Sequence, residues 1–213
     1  MNSNYKVIKF RSNNSKEVSD QISIEEPLEI ILKYKDKENW IENTISITMR
    51  TPGDDEDLVT GFLFNERVIE KISHIENIVA SGEPVGQYKL QNKVIITINN
   101  SENIDIDKIK RNFLTNSSCG VCGKTSLESL EIIKKDKILR SIPKIHHEII
   151  MKSPNILKQN QSEFSKTGGI HASGLFNASG EIIALKEDVG RHNALDKLIG
   201  FVLKENLLDN SSQ

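Results

Sequence analysis

The chain has 213 residues, which is long enough to bury a hydrophobic core of its own. Its 28 Lys and Arg against 30 Asp and Glu give a formal net charge of -2, which argues against a protein that binds nucleic acid through bulk electrostatics. No stretch approaches the ~18 apolar residues of a membrane span, and no signal peptide is recognisable at the start. We therefore expect a cytoplasmic protein that is not attached to a membrane.

The first hundred residues predict four strands and one helix. The strands are predicted from their content of β-branched residues at P-L-E-I-I-L-K-Y, T-I-S-I-T-M-R, I-E-N-I-V-A-S and N-K-V-I-I-T-I-N-N. The helix is predicted at P-G-D-D-E-D-L-V-T-G-F-L-F-N-E, where the acidic residues suit the positive end of the helix dipole. Its apolar face consists of Leu58, Val59, Phe62 and Leu63. A solvated first turn explains the acidic run, with a metal site as the alternative.

The middle of the chain holds both cysteines, Cys119 and Cys122, in N-S-S-C-G-V-C-G-K-T. A short helix is predicted before them from about Asp107, and the capping box at residues 125–128 predicts the start of another helix after them. Residues 135–166 include two prolines and predict a linker with one short helix.

The last part of the chain predicts a hairpin followed by a helix. Two strands flank a turn at residues 177–180, and a loop through Gly190 leads into the helix. The apolar face of this helix consists of Ala194, Leu195, Leu198, Ile199 and Val202.

Two thiols three positions apart can bind metal, exchange disulfides or carry sulfur. A zinc site usually needs four ligands, and none of the five histidines has the spacing that completes such a set, so no structural metal is expected. A thioredoxin-like site lies at a helix start directly after a core strand, whereas a helix is predicted before this loop. Lys124 and the following helix start favour a thiolate that can accept a persulfide sulfur. The competing interpretation is two incidental loop cysteines.

The stretch E-D-V-G-R-H-N before the last helix has the features of an anion site. Free amides at the helix start and the forked guanidinium of Arg191 suit a phosphate. Asp188 could accept hydrogen bonds from a ligand, and His192 could donate or relay a proton. The competing interpretation has Asp188 capping the helix, Arg191 in a surface ion pair and His192 packed.

The stretch T-G-G-I-H, about twenty residues earlier, could contribute flexible backbone to the same anion site. Gly168 and Gly169, ahead of His171, could form a backbone wall for the ligand. A pair of glycines is weak support when it stands alone.

Taken together, S-S-C-G-V-C-G-K, T-G-G-I-H-A-S-G-L-F and E-D-V-G-R-H-N-A-L-D-K-L-I-G resemble the formate dehydrogenase accessory sulfurtransferase family, the FdhD proteins. E-E-P-L-E-I and M-R-T-P-G-D-D-E-D-L-V-T-G-F-L-F-N-E match the family's opening, so the resemblance runs from about residue 22 to 203. It implies a carrier that takes sulfur as a cysteine persulfide from a cysteine desulfurase. The carrier passes this sulfur to the molybdenum (or tungsten) bis(molybdopterin guanine dinucleotide) cofactor before the cofactor enters formate dehydrogenase.

The resemblance also implies roles for individual residues. By the family pattern Cys119 carries the persulfide and Cys122 assists it. Contacts to the cofactor are expected from Gly168, Gly169, His171, Asp188, Arg191 and His192. A homodimer is expected on the same ground.

The predicted fold class is α/β, in three consecutive parts. Residues 1–116 form an N-terminal α+β part, residues 117–150 contain the cysteine loop, a helix and a linker, and residues 151–213 form a cytidine deaminase-like α/β part. The resemblance implies that the deaminase-like part is incomplete, because family chains continue through further strands and helices that contribute a glycine-containing cofactor-binding segment.

Deaminase chemistry itself is not expected. That reaction needs a zinc ligand and a nearby Glu on one helix, whereas this helix begins His192, Asn193, Ala194. Two other functions remain as alternatives to sulfur transfer. One is a chaperone that shelters the cofactor without sulfur chemistry, and the other is a small zinc-binding module.

Overall fold

The computed structural model describes residues 1–12, 14–99 and 144–207. Cys119, Cys122 and the helices predicted on either side of them lie outside these residues. The described strands are β1 (Asn2–Arg11), β2 (Asn14–Ser23), β3 (Glu26–Asp36), β4 (Asn39–Arg50), β5 (Ile75–Ser81), β6 (Lys93–Ile98), β7 (His171–Phe176) and β8 (Ile182–Asp188). The described helices are α1 (Asp55–Asn65), α2 (His147–Asn160), α3 (Ser162–Thr167) and α4 (Arg191–Lys204), with a 3-10 helix at Ile72–His74.

These elements belong to two compact units that interleave along the sequence. The first unit combines Met1–Pro27, Met49–Phe62 and Ile145–Gln213, and the second combines Leu28–Thr48 and Leu63–Lys144. The sequence analysis instead divides the chain into consecutive parts at residues 116 and 150. Its first boundary falls outside the described residues, and that division stays a prediction. Among the helices of the described segments, none is both long and apolar enough to cross a membrane.

The second unit is built on a four-stranded sheet in the order β4-β3-β6-β5. β3 runs parallel to β6, and β5 runs antiparallel to β6. Alternate residues of β3 are buried on one face, and the register pairs Ile30 with Val94 and Leu32 with Ile96, all four of which are buried. This period of two buries one face of β3, a strand that the sequence predicts from its β-branched residues.

The first unit contains two antiparallel hairpins, β1-β2 and β7-β8. Helix α4 packs against β7 and β8, and the buried cluster between them is formed by Ala184, Leu198 and Val202, with Leu175, Phe201 and Leu207 around it. Helix α2 lies close against the same hairpin, because a side chain at Gly174 would meet Leu157 at 2.6 Å. The hairpin and its helices therefore form the scaffold of this unit.

Helices α1 and α4 cross with their backbones in direct contact. A Cβ atom at Gly61 would overlap the main-chain carbonyl of Asp196, and a Cβ atom at Gly200 would overlap that of Asp57. Glycine is required at both positions because backbone on the facing helix already occupies the space of a side chain.

The acidic run at the start of α1 is solvated only in part, since two of its four carboxylates are exposed. Asp57 is 6% exposed, and its carboxylate lies 2.7 Å from Nζ of Lys186 and 3.0 Å from Nζ of Lys204. Asp55 accepts a forked pair of hydrogen bonds from the buried Arg50, at 2.9 and 2.8 Å. Lysine and arginine side chains therefore neutralise this run. Because its carboxylates are already paired, the alternative interpretation as a metal site is not supported.

Three local predictions were wrong. Residues 144–167 hold two helices instead of one, and Pro154 lies inside α2. The carbonyl of Ile150, which would otherwise accept the N–H missing at Pro154, accepts the hydroxyl of Ser153 at 2.9 Å. Leu195, predicted on the apolar face of α4, is 45% exposed, whereas Lys197 on the same helix is buried beside Ala194 and Leu198. The β1-β2 hairpin was missed because its residues are mostly polar and exposed.

Candidate functional site

The β7-β8 hairpin brings both predicted cofactor-binding segments to one end of the first unit. Its register pairs His171 with Asp188, so β7 begins where β8 ends. Gly168 and Gly169 precede β7, and Arg191 starts the helix that follows β8. The stretches G-G-I-H and E-D-V-G-R-H-N therefore meet at the end of the hairpin opposite its turn.

Asp188 is the buried anchor of this end, with no exposed surface. One carboxylate oxygen accepts the backbone N–H of Thr51 at 3.0 Å and lies 2.8 Å from Nζ of Lys197. The other accepts the N–H of Gly190 at 2.8 Å and the side-chain amide of Asn193 at 3.2 Å. Asp188 thus uses both oxygens to hold the loop that leads into α4, and this differs from the helix cap proposed as the competing interpretation.

The partners of Asp188 also form hydrogen bonds with the end of β4 and with the residue that follows it. Lys197 is 1% exposed and also donates to the carbonyl of Thr51 at 2.7 Å. Asn193 donates to the carbonyl of Met49 at 2.7 Å, and the hydroxyl of Thr51 accepts the N–H of Val189 at 3.1 Å. A buried network in which every charge is paired and hydrogen-bonded is rigid and costly to disturb.

The start of α4 presents exposed residues on this rigid base. Its N-cap is Gly190, no side chain caps the helix, and its first turn contains no acidic residue. Arg191 and His192 are both exposed, and within the described segments no ion pair holds either side chain. Uncapped amides next to an accessible guanidinium are a chemical fit for a phosphate group.

The glycine segment lies at the C-terminal end of α3. Gly168 has a φ of 68°, and its N–H donates to the carbonyl of Phe164 at 2.8 Å, which closes the helix. Gly168, Gly169 and His171 are exposed. A Cβ atom at Gly168 would meet no other atom within 4 Å, so the positive φ is what favours glycine there. The backbone of this segment is accessible, as the hypothesis of a backbone wall requires.

Glu187, the neighbour of Asp188 on β8, has a role that the sequence does not predict. One oxygen of its carboxylate accepts the N–H of Phe164 at 2.9 Å, and the other accepts the N–H of Glu163 at 2.9 Å and the hydroxyl of Ser162 at 3.3 Å. Glu187 therefore caps the N-terminus of α3 from another strand. No local pattern signals this cap, because the capped helix lies more than twenty residues earlier.

Nor does the sequence predict the roles of Lys197, Asn193 and Thr51. Lys197 occupies a position on the buried face of α4, between Ala194 and Leu198. A lysine within an apolar helical stripe is a usable signal for a buried ion pair, since buried lysines almost always have a partner.

A second group of contacts attaches α3 to the β1-β2 hairpin. The carboxylate of Glu163 accepts the side-chain amide of Asn2 at 2.9 Å and lies 3.6 Å from the N-terminal ammonium. Burial alone would raise the pKa of Glu163, but the hydrogen bond from Asn2 and the nearby positive charges outweigh it, and the pKa lies below its ordinary value. The hydroxyl of Ser23 donates to that of Thr167 at 2.9 Å. Helix α3 is thus held along its side as well as at its N-terminus.

Metal-ligating residues occur together at one place in the described part of the chain. His146, His147 and Glu148 have ligand atoms within 4.8 Å of one another, and all three are exposed. They lie at the start of α2, where the helix dipole disfavours a cation. The expected absence of a structural metal stays a prediction, because both cysteines lie outside the described residues.

Comparison with known proteins decides the family. Residues 23–212 match the model of the FdhD/NarQ family. The chain belongs to the FdhD/NarQ family. The resemblance noted in the sequence is thereby confirmed.

Individual FdhD/NarQ proteins resemble most of this chain. A sulfur carrier protein FdhD from Picrophilus torridus is 43% identical over 191 residues, which cover 89% of this chain and 66% of the relative. The protein of the same name from Sulfurisphaera tokodaii is 38% identical over 200 residues, which cover 94% of this chain and 69% of the relative. This FdhD/NarQ chain thus spans about two thirds of the length of these relatives.

A solved structure supports the fold of this FdhD/NarQ chain. The crystal structure described as a formate dehydrogenase accessory protein from Desulfotalea psychrophila aligns with a TM-score of 0.63 at 24% identity. The alignment covers 99% of this chain and 71% of the other. The predicted α/β fold class is therefore confirmed.

Proposed function

We propose that this chain is a sulfur carrier for the maturation of formate dehydrogenase. It accepts sulfur as a persulfide on Cys119 from a cysteine desulfurase and transfers it to the molybdenum bis(molybdopterin guanine dinucleotide) cofactor. The observation that carries the proposal is that relatives 36 to 43% identical to this chain are named sulfur carrier protein FdhD. The C-G-V-C motif supplies the thiols that such a function needs.

Sulfur acceptance is a thiol exchange. The Cys119 thiolate attacks the outer sulfur of the desulfurase persulfide, a new S–S bond forms on Cys119, and the desulfurase cysteine leaves as its thiolate. Lys124, two residues after Cys122, favours the attacking anion. No external oxidant or reductant is needed for this step.

Sulfur delivery uses the second thiol. The Cys122 thiolate attacks the inner sulfur of the Cys119 persulfide, a Cys119 to Cys122 disulfide forms, and the outer sulfur leaves as hydrosulfide for the metal of the cofactor. The cysteine pair supplies the two electrons, and a cellular thiol reductant restores both thiols. This assigns a reaction to each cysteine of the motif.

The cofactor is the substrate that accepts the sulfur, and the end of the β7-β8 hairpin is the place we propose for its dinucleotide part. The guanidinium of Arg191 and the start of α4 suit the phosphates. The backbone at Gly168 and Gly169 forms the wall, and the exposed His171 and His192 supply ring nitrogens. Asp188 serves this site from its buried position, by fixing the loop that precedes Arg191.

The family resemblance supports three further parts of the proposal. The protein acts in the cytoplasm, because the cofactor is loaded before formate dehydrogenase is complete. Its transient partners are a cysteine desulfurase and formate dehydrogenase. Its permanent partner is a second copy of the chain.

Guanine nucleotide should raise the melting temperature of the protein, and Arg191→Ala should reduce this effect. Loss of forked phosphate contacts should weaken binding by about tenfold, which thermal melting across a GDP titration would measure. Arg11→Ala is the control, because Arg11 is an exposed arginine at the end of β1. Equal stabilisation of the Arg191 variant and the wild-type protein would remove Arg191 from the site.

Replacing both cysteines with serine should abolish maturation of formate dehydrogenase, because no thiol remains to carry sulfur. The measurement is dehydrogenase activity in cells that depend on this protein. The control is the GDP-induced rise in melting temperature, which should match the wild-type value and show that the variant is folded. Full dehydrogenase activity with the double variant would favour the chaperone without sulfur chemistry.

A further inference from the structure

Glu187 and Asp188 are adjacent carboxylates that point to opposite faces of β8, as successive strand residues do. Asp188 holds the loop before Arg191, and Glu187 holds α3, which ends at Gly168. We propose that Glu187 is a positioning residue for the cofactor site. It keeps the glycine segment at the same end of the hairpin as the start of α4. This inference rests on the proposed function.

Helix α3 depends on outside support. It has six residues, none of them buried, and its N-cap Gln161 makes no side-chain hydrogen bond to it. A helix of this length is not stable by itself in water. Glu187 supplies acceptors for two backbone N–H groups and one hydroxyl at its first turn. The carboxylate therefore replaces the cap that the helix's own sequence lacks.

A short path of hydrogen bonds leads from Glu187 to the glycine segment. The N–H of Phe164 donates to Glu187 at 2.9 Å, and the carbonyl of the same Phe164 accepts the N–H of Gly168 at 2.8 Å. One residue thus links the carboxylate to the glycine that closes the helix. On the other side of the segment, the β7-β8 register pairs Ala172 with Glu187. Residues 168–171 thus lie between α3, whose first turn the Glu187 carboxylate caps, and the backbone pairing of β7 with β8.

The effect of losing this carboxylate should be confined to one half of the site. The hydrogen bonds of Asp188 go to Thr51, Gly190 and Asn193, and its ion pair goes to Lys197. None of these contacts involves Glu187. Removing Glu187 should therefore loosen the glycine segment, although the contacts of Glu163 and Thr167 with the β1-β2 hairpin remain, and leave the start of α4 in place.

The test compares two ligands of the protein, GDP and inorganic pyrophosphate. GDP should use both halves of the site, whereas pyrophosphate should use only the anion-binding start of α4. In Glu187→Ala the Kd for GDP should rise about tenfold, with the Kd for pyrophosphate unchanged. Glu187→Gln keeps one acceptor oxygen and should give an intermediate Kd for GDP. This conservative variant gives the same comparison if the alanine variant folds poorly.

The matched control is Glu181→Ala. Glu181 is an exposed glutamate at the turn end of the same hairpin, where it accepts the side-chain amide of Asn177 at 2.7 Å. Its loss changes the charge by the same amount and should leave both Kd values at the wild-type level. Hydrogen exchange should accelerate at the amides of Glu163, Phe164 and Gly168 in Glu187→Ala only, with residues 191–194 unaffected.

Three results would overturn the inference, and they differ from one another. Unchanged GDP affinity in both Glu187 variants would remove the positioning role and leave the proposed function intact. Equal losses of GDP and pyrophosphate affinity would make Glu187 a general stabiliser of the unit. Failure of the wild-type protein to bind either ligand would remove the proposed nucleotide site, and the role of Glu187 with it.

Discussion

Replacing Lys197 with methionine should lower the free energy of unfolding by about 3–5 kcal/mol, because breaking a buried ion pair leaves an uncompensated charge. The ammonium of Lys197 lies 2.8 Å from Asp188, and both side chains are excluded from solvent. Methionine fills a similar volume but leaves the carboxylate of Asp188 and the carbonyl of Thr51 without this donor. Urea unfolding, followed by circular dichroism, would measure the loss.

Lys204→Met is the matched control, since it replaces another lysine of α4 that forms ion pairs. Lys204 is exposed and pairs with Glu56 at 3.2 Å and Asp57 at 3.0 Å. Partial burial favours a lower pKa for Lys204, but its hydrogen bonds to Asp57 and Glu56 hold that pKa above the ordinary value. The loss should be less than about 1 kcal/mol, because Lys204 is exposed and the buried Asp57 keeps its ion pair with Lys186. An equal loss in the two variants would contradict the buried network.

A second variant separates the charge from the packing. Lys197→Met combined with Asp188→Asn removes both charges and should be more stable than Lys197→Met alone.

Loss of Lys197 should also affect ligand binding, because its partner Asp188 accepts the N–H of Gly190 just before Arg191. Lys197→Met should therefore also weaken pyrophosphate binding, even though Lys197 itself is buried away from any ligand.

Gly200→Ala should destabilise the protein by about 3 kcal/mol or more, the upper end of the cost of overpacking. The added methyl group would overlap the main-chain carbonyl of Asp57, and backbone cannot rotate away as a side chain can. Helix propensity alone predicts the opposite sign, since alanine is favoured over glycine in a helix interior by roughly 0.5–1 kcal/mol. The sign of the change, measured by urea unfolding, therefore decides between the two effects.

Gly61→Ala should behave like Gly200→Ala, because Gly61 lies at the same helix crossing. The two effects should not add, since the first substitution already separates the helices. Gly169→Ala is the control for glycine loss, because a Cβ atom there would meet only the carbonyl of Thr167, at 3.9 Å. A Gly200→Ala protein that is as stable as Gly169→Ala would contradict the close crossing of α1 and α4.

The sequence predicts those elements whose stability comes from their own periodic pattern. Strand β3 is predicted from its β-branched residues, Ile30 and Ile31, without knowledge of any partner, and the structure buries its alternate residues. The hairpin β7-β8 is predicted from the turn at residues 177–180, and the start of α4 from the loop through Gly190 that precedes an apolar helical face. The structure places His171 at the start of β7 and Arg191 at the start of α4, which agrees with these predictions.

Elements that depend on distant partners could not be predicted in this way. The residues of the β1-β2 hairpin are mostly polar, and its attachments include the hydrogen bond between Asn2 and Glu163. The roles of Glu187 and Lys197 depend on which groups the fold brings to them. A carboxylate in a sequence shows that hydrogen bonds can be accepted, but the donors are chosen by the tertiary structure.

The central claim is that Cys119 carries sulfur, and intact mass after incubation with a cysteine desulfurase and cysteine tests it most directly. The wild-type protein should gain the mass of one or more sulfur atoms, and a thiol reductant should remove it. Cys119→Ala should show no such adduct, whereas Cys122→Ala should show a diminished one. Normal loading of Cys119→Ala with none on Cys122→Ala would reverse the two roles, and equal loading of both variants and the wild-type protein would contradict the claim.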